Sequence, residues 1–589
     1  MSGGTFQDDK ERLVMAPPPY ATLMVKFILN LMTRVVLVAM LSLLATFALG
    51  ASRKPVTAPH GMVVSADSFA SAAGADVLRK GGNAVDAAVA MGFVMAVTYP
   101  EAGNIGGGGF MLIRMKDGRT TMIDFREKAP AAASKNMFLD LNGNAVPGLS
   151  QRGPLSAGVP GTVAGLLAAL ERYGTRERSE VLGYSARLAR DGFPVSDRLA
   201  ESLRLYLPDS LASRSALQLF RPQGVCLRAG DLLRQPDLAK TLQAVIDQGA
   251  DGFYRGQVAD NIVKEVKAGG GIFTSQDLRD YRAVERKPLT GSYRGYQIIT
   301  SAPPAGGGVM LLEMLNVMER FDLRAKGHNS SRALHLIAAA AGYAFEDRSR
   351  YLGDPDFLSM PIDSLLSKGN GARNAGLIDT LHAARSTSRP GNQGARQTTH
   401  YCVADNYGNV VSTTYTLNDN YGCKTLVSGG GFFLNNEMDD FSVKPDVPNM
   451  FGLTGGDANS IAPGKRMLSS MTPTIVLKDQ QPLLLLGARG GSRIPTSVAQ
   501  VILNVVDFGL PVQDAVDAPR IHYQWRPDEV LYEQNGLPAD VIENLQGMGY
   551  VVRETPDSNG RCHALMLDKA HGLFLGAPDP REEGVAEGY

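Results

Sequence analysis

The sequence predicts an α+β fold in which helices cover the faces of a largely antiparallel sheet assembly. Three observations point there. Short alternating apolar runs come in pairs around turn signals, helical patterns separate those pairs, and sheet pattern returns at Thr398 after a long helical stretch.

The elements follow in order. "SADSFASAAGADVLRKGGNAVDAAVAMGFVMAVTYP" reads as two helices: Asp67 or Ser68 caps the first, Gly81-Gly82 break it, and the second is apolar enough to be buried. "GGFMLIRMKDGRTTMIDFRE" reads as a hairpin around Asp117-Gly118. From Gly161 to about Val284 the pattern is mainly helical. "RGYQIITSAPPAGGG" is a strand ending in a tight glycine turn, followed by two helices, "GVMLLEMLNVMER" and "SSRALHLIAAAAGYAFEDRSRYLGD". Periodicity then fades from Gly369 to Gln397, a polar Gly/Ser/Arg-rich stretch that reads as a linker. Beyond it, "TTHYCVAD" and "VVSTTYTLN" flank a turn at Asn406 to Asn409. "TPTIVLKDQQPLLLLGARGG" is a second hairpin, and "IPTSVAQVILNVVDFG" a helix. With strands on both sides of it, the polar break interrupts one core rather than separating two.

Composition narrows the function. Lys+Arg and Asp+Glu are both 59, with no basic run, so a nucleic-acid footprint is not expected. The four cysteines lie far apart with no CxxC pair, and no HExxH-like spacing occurs, so no metal is expected; one or two isolated disulfides stay open. The four glycines from Gly106 lack a following Lys-Ser/Thr and open no helix, which excludes a phosphate loop and leaves a tight bend into the strand "FMLIRM".

At the N-terminus, Lys26 and Arg34 precede an apolar run from Val35 to Leu49, with small residues at Ala48 and Gly50. The run is shorter than the roughly 20 residues of a membrane span, so residues 1–51 read as a signal peptide and the mature protein as periplasmic or secreted. An uncleaved anchor is the alternative, and any membrane contact would come through this leader alone. The polar stretch before Met24 leaves Met24 or Met32 as candidate starts.

The change of character at Thr398 has a chemical reading. Cutting the bond before it gives one residue both a hydroxyl and a free α-amine. An α-amine has an ordinary pKa of about 8 and so can accept the proton of its own hydroxyl. Threonine pairs are also common in strands, so the motif needs support from its surroundings.

That support is a resemblance. "TTHYCVAD", "TYTLN", "FFLNNEMDDF", "GGDANSIAPGKRMLSSMTP", "GARGGSR" and "APRIHYQW", with "GGNAVDAAVA", "GNIGGGGFMLIR", "IDFREKAP", "GVPGTVAGL" and "RSRYLGDPDF" upstream, resemble the γ-glutamyltransferase family in the same order. The likeness runs from about His60 to Pro580. It implies a four-layer αββα N-terminal-nucleophile hydrolase fold without a cofactor. It also implies a precursor that cuts itself between Gln397 and Thr398 into a large subunit (52–397) and a small catalytic subunit (398–589).

The resemblance also implies roles. Thr398 matches the nucleophile, Thr416 its supporting hydroxyl, and Gly490 and Gly491 the pair whose N–H groups form an oxyanion hole. Arg126 matches the ligand of the substrate α-carboxylate, shared with Ser469 and Ser470. Asp440, Glu437 and Asn418 match the group around the α-ammonium. The implied substrates are glutathione and other γ-glutamyl compounds, with water, amino acids or peptides as acceptors.

Three departures stand out. Arg489 replaces a frequent proline and is expected to charge the pocket rim. Phe451 replaces a frequent tyrosine in the lid-like "DVPNMFGLTGG". "NDNYGCK" differs from the usual small polar residues. The alternatives are an acylase of glutaryl-type side chains, as cephalosporin acylases are, against which Asp440 and Glu437 argue, and a non-catalytic membrane-tethered scaffold.

Overall fold

Period-two alternation of buried side chains builds the centre of the protein. The computed structural model describes residues 1–4, 32, 53–384 and 398–589. Met1–Arg53 and Lys54–Tyr589 form separate units, and the sheets and helices below lie in the second. Nearly all of the expected leader, and Gln397 of the expected cut, fall outside the described residues.

Two seven-stranded antiparallel sheets form the body. Their strands are β1 (Val56–Ala58), β2 (Met62–Ser65), β3 (Gly108–Arg114), β4 (Thr120–Asp124), β5 (Val284–Arg286), β6 (Leu289–Tyr293) and β7 (Tyr296–Thr300), then β8 (Thr399–Ala404), β9 (Val410–Thr416), β10 (Thr474–Lys478), β11 (Gln481–Arg489), β12 (Arg561–Asp568), β13 (Leu573–Ala577) and β14 (Val585–Gly588). One sheet runs β1-β13-β12-β11-β10-β7-β6, the other β14-β2-β8-β9-β3-β4-β5. In the second, β8 and β9 from beyond residue 397 insert between β2 and β3 from before it.

The layers follow from β8. Tyr401 and Val403 point to one side and join a core with α1 (Ser68–Arg79), α2 (Ala84–Thr98) and α3 (Thr162–Tyr173). Cys402 and Ala404 point to the other side and pack with Leu484 and Leu486 of the facing sheet. That core is closed by α4 (Gly307–Met318), α5 (Ser331–Tyr351) and α6 (Ile494–Val506). Helix, sheet, sheet, helix is the order that the resemblance implies, and helices cover antiparallel sheets as the residue pattern predicts. Asp67 caps α1, accepting from the Ala70 N–H at 2.8 Å, and Asn83 with Asp86 forms a capping box on the wholly buried α2. All four cysteines are free thiols.

Two local expectations need correction. Gly307 does not stay in a turn; it opens α4, one residue before the expected start at Gly308. A β-carbon on Gly307 would lie 2.2 Å from Thr472 Oγ1, and one on Gly308 1.9 Å from the Ser301 carbonyl, so close approach is what requires glycine there. The polar stretch from Gly369 also starts as structure: Lys368–Leu377 is a helix capped by Ser367. Gly371 lets it press onto α4, where a β-carbon would meet Asn316 at 2.7 Å. Polar composition hid a helix whose buried contacts run mainly through glycine and asparagine, with Ala375 its one buried apolar side chain.

Candidate active site

Strand register sets the centre of the site. Thr399 pairs with Tyr415 across β8 and β9, so the next residue out, Thr398, falls beside Thr416. The Thr398 hydroxyl donates to Thr416 Oγ1 at 3.4 Å, and the Asn418 N–H donates to the same oxygen at 2.9 Å. Both threonines are buried. Thr416 is fixed from behind by the glycine run, whose role is thereby explained: a β-carbon on Gly107 would lie 2.0 Å from the Thr416 carbonyl, which accepts from the Asn104 amide at 2.9 Å.

Thr398, Thr416 and Asn418 line a cavity of about 20 Å³ together with Arg126, Glu437 and Asp440 on one side and Ser469, Ser470 and Gly491 on another. Of the residues implied by the resemblance, Gly490 alone is not in the lining. It lies one position before Gly491, with its Cα turned towards Gly560. Both glycines have positive φ, 134° and 58°, in the turn that leads from β11 into α6, a bend that a β-carbon would strain. Phe451, Met471 and Ile494 complete the wall.

Arg126 follows β4 and is fully enclosed. Its N–H donates to Asp124 at 2.9 Å and its Nε to the Met467 carbonyl at 3.2 Å. Nη1 pairs with Glu437 at 2.9 Å and Glu127 at 3.5 Å, and Nη2 bonds Asp440. Burial pulls the guanidinium down, but Glu437, Asp440 and Glu127 outweigh it and hold the group above its ordinary value. The acids go the other way. Burial pushes Glu127 up to about 8, against the pull of Arg126, and drives Glu437 well above the carboxylate range. Neither acid has a hydrogen bond to either oxygen. The expected carboxylate ligand and the expected ammonium ligands Glu437 and Asp440 are therefore paired with each other.

The other residues are positioned by the backbone. Ser469 N–H donates to the Pro304 carbonyl and the Ser469 carbonyl accepts from Gly306, both at 2.8 Å, so the "PPAGGG" turn is the bed of the serine loop. The Asn418 amide nitrogen donates to the Asn436 carbonyl at 3.1 Å, which leaves its oxygen as the free end. Above the cavity, Asn449 donates to Asp440 at 3.2 Å and Met450 N–H to Asp439 at 2.9 Å. The lid-like segment is thus tied to the acid pair, with the Phe451 ring against Gly491.

Arg489 corrects an expectation. It does not reach the cavity rim but is buried, paired with Glu582 at 2.9 Å and bonded to the Tyr99 hydroxyl. Side chains alternate along β11, and this one points away from the turn at Gly490. Beyond Asn418, "NDNYGCK" also turns away, with Tyr421 bonded to Ser202 at 2.9 Å. Glu127 and Asn449 had no part in the sequence reading. The adjacency of Glu127 to Arg126 in "IDFRE" is the signal that could have found it.

A hydroxyl at the start of a central strand, between two stacked sheets faced by helices, is the arrangement of the N-terminal-nucleophile hydrolases. The chain belongs to the γ-glutamyltranspeptidase family, whose profile matches residues 70–589. It is 46% identical over 541 residues to the glutathione hydrolase proenzyme of Escherichia coli strain K12, covering 91% of this chain and 93% of that one. Among solved structures it is similar to a cephalosporin acylase from Bacillus halodurans, with a TM-score of 0.81 and 27% identity over 92% of this chain and 98% of that one. A chain of Helicobacter pylori γ-glutamyltranspeptidase matches with a TM-score of 0.52 and 48% identity, covering 53% of this chain and 90% of that one.

Proposed function

We propose that the protein is an exported γ-glutamyltransferase and glutathione hydrolase that cuts itself between Gln397 and Thr398. The observation that carries this reading is the Thr398–Thr416 hydroxyl pair facing Arg126, Glu437 and Asp440 across one small cavity. Scission frees the Thr398 amine, which takes the proton of its own hydroxyl as the oxygen attacks the γ-carbonyl. The N–H groups of Gly490 and Gly491 receive the developing oxyanion. The amine then returns the proton to the departing nitrogen, and a γ-glutamyl ester on Thr398 remains. Water or the amine of an amino acid or peptide takes the acyl group and regenerates the hydroxyl.

The clamp explains the choice of head group. A guanidinium fork matches a carboxylate, while Asp440, Glu437 and the Asn418 oxygen suit an ammonium. A substrate carrying both charges replaces the internal pairs of Arg126 with external ones, so no buried charge is left alone. With about 20 Å³ open, entry requires Arg126 to part from its acids and the segment around Phe451 to lift. The likeness to a cephalosporin acylase supports a second reading, cleavage of glutaryl amides, which carry no ammonium. In that reading Asp440 and Glu437 would face an apolar chain.

Intact-mass analysis with N-terminal sequencing of the mature protein tests export and self-cleavage together. The small fragment is expected to begin Thr-Thr-His-Tyr, and Thr398→Ala to stay one inactive chain. A cut Thr398→Ala protein would refute scission through this hydroxyl. Faster hydrolysis of a glutaryl than of a γ-glutamyl anilide would favour the acylase.

A further inference from the structure

Asp440 also borders a second void, of about 10 Å³, that shares no other residue with the cavity at Thr398. It has room for one water-sized particle. Arg348, in the last turn of α5, lines it and is 4% exposed. Among the described residues its guanidinium makes no hydrogen bond or ion pair, and its Nε is enclosed without a partner. Burial pushes the group down to about 10, with Asp440 pulling it back up and Arg126 adding to the loss. A buried cation left in this state is costly, and a counter-charge relieves that cost.

The lining shows which sign of ligand is missing. The amide nitrogens of Asn449 and Asn459 both donate to Asp440, at 3.2 and 2.7 Å. Their oxygens are already used: Asn449 accepts from Phe451 and Leu453, and Asn459 from Leu468. The polar groups of the lining that remain unengaged are the Arg348 guanidinium and the hydroxyls of Ser349, Ser442 and Thr454. All four can donate.

We propose that this void is a binding site for a small inorganic anion of halide size, held by Arg348 with the Ser442 and Thr454 hydroxyls. A water would fill the space but leave the charge uncompensated, whereas a monatomic anion does both. Its position beside Asp440 gives it a consequence that rests on the γ-glutamyl reading. Unscreened, Arg348 repels an ammonium at Asp440; an anion cancels that repulsion and tightens donor binding.

Sodium bromide is the probe. Crystals of the full protein grown in bromide should show an anomalous peak at Arg348, which disappears in Arg348→Gln and weakens in Ser442→Ala should the arginine variant fail to fold. In kinetics at constant ionic strength, replacing gluconate by chloride should lower the donor KM about fivefold, the low end of coupling between linked sites, and leave Arg348→Gln unaffected. Absence of the peak in the wild-type protein, or its survival in Arg348→Gln, overturns the site. A peak with an unchanged KM would instead count against the glutamyl clamp.

Discussion

The Phe451 ring rests on the α-carbon of Gly491: a β-carbon built there would come within 2.6 Å of the ring's Cδ1. The lid-like segment and the glycine turn therefore share one contact, and that contact needs glycine on both steric and backbone grounds (φ 58°). Gly491→Ala should reduce kcat about 100-fold or more, the scale seen when one oxyanion donor is displaced. Adding Phe451→Ala should recover part of the loss, because it removes the clash but not the strain. Steady-state kinetics of the single and double variants measure this; a Gly491→Ala enzyme with normal kcat removes the glycine turn from the mechanism.

Gly107 lies behind Thr416, so a side chain there must move the strand end that carries the hydroxyl pair. Gly107→Ala is expected to accumulate as uncut precursor. Gly376→Ala, where nothing lies within 4 Å, should process normally. Gel electrophoresis of both during incubation makes the comparison, and equal rates would separate Thr416 positioning from scission.

Glu127 titrates at about 8 because burial favours its neutral form. Below that value it does not compete with a substrate carboxylate for Arg126; above it, a new negative charge 3.5 Å from Arg126 does. The donor KM should therefore rise as pH passes about 8, and Glu127→Gln should flatten the alkaline side. The sign is the same for stability. A carboxyl raised in the folded state contributes most below its unfolded pKa, and the contribution is lost as pH rises through the folded value. Donor KM against pH for both proteins decides; parallel curves would exclude Glu127.

Arg489 neutralises Glu582, which despite burial is held well below the carboxylate range by Arg489 first and His563 next. Arg489→Met should cost about 3 kcal/mol, the low end for a buried pair losing one member, since His563 still reaches the other Glu582 oxygen at 2.7 Å. Arg489→Met with Glu582→Gln should restore most of the thermal midpoint. A single variant as stable as the wild type would mean that the pair contributes nothing.

Much of the fold was legible because its signals are local. Alternation marked β8 and β9, Asp67 marked a helix start, Gly81-Gly82 a helix break, and Asp117-Gly118 a hairpin. The helix at Lys368–Leu377 was not, because its packing depends on a glycine that meets Asn316, a partner distant in sequence. The site residues carried recognisable motifs, yet neither the pairing of Arg126 with its own acids nor the unpartnered state of Arg348 could be read from them. Arg489 misled for the same reason: in the chain it adjoins the glycine turn, whereas in space it faces Tyr99 and Glu582.

By itself the sequence determined the strand that begins at Thr398 and the helices that cover a largely antiparallel sheet assembly, which follow from side-chain periodicity, a property of neighbours along the chain. The four-layer order and the residues matched to a zwitterion clamp came through its resemblance to a known family. Only the tertiary structure decided which charges touch, which lie alone, and where a glycine lets one backbone reach another. Those depend on burial and on ångström-scale separations between segments hundreds of residues apart, where desolvation makes a cation stable with a partner and costly without one.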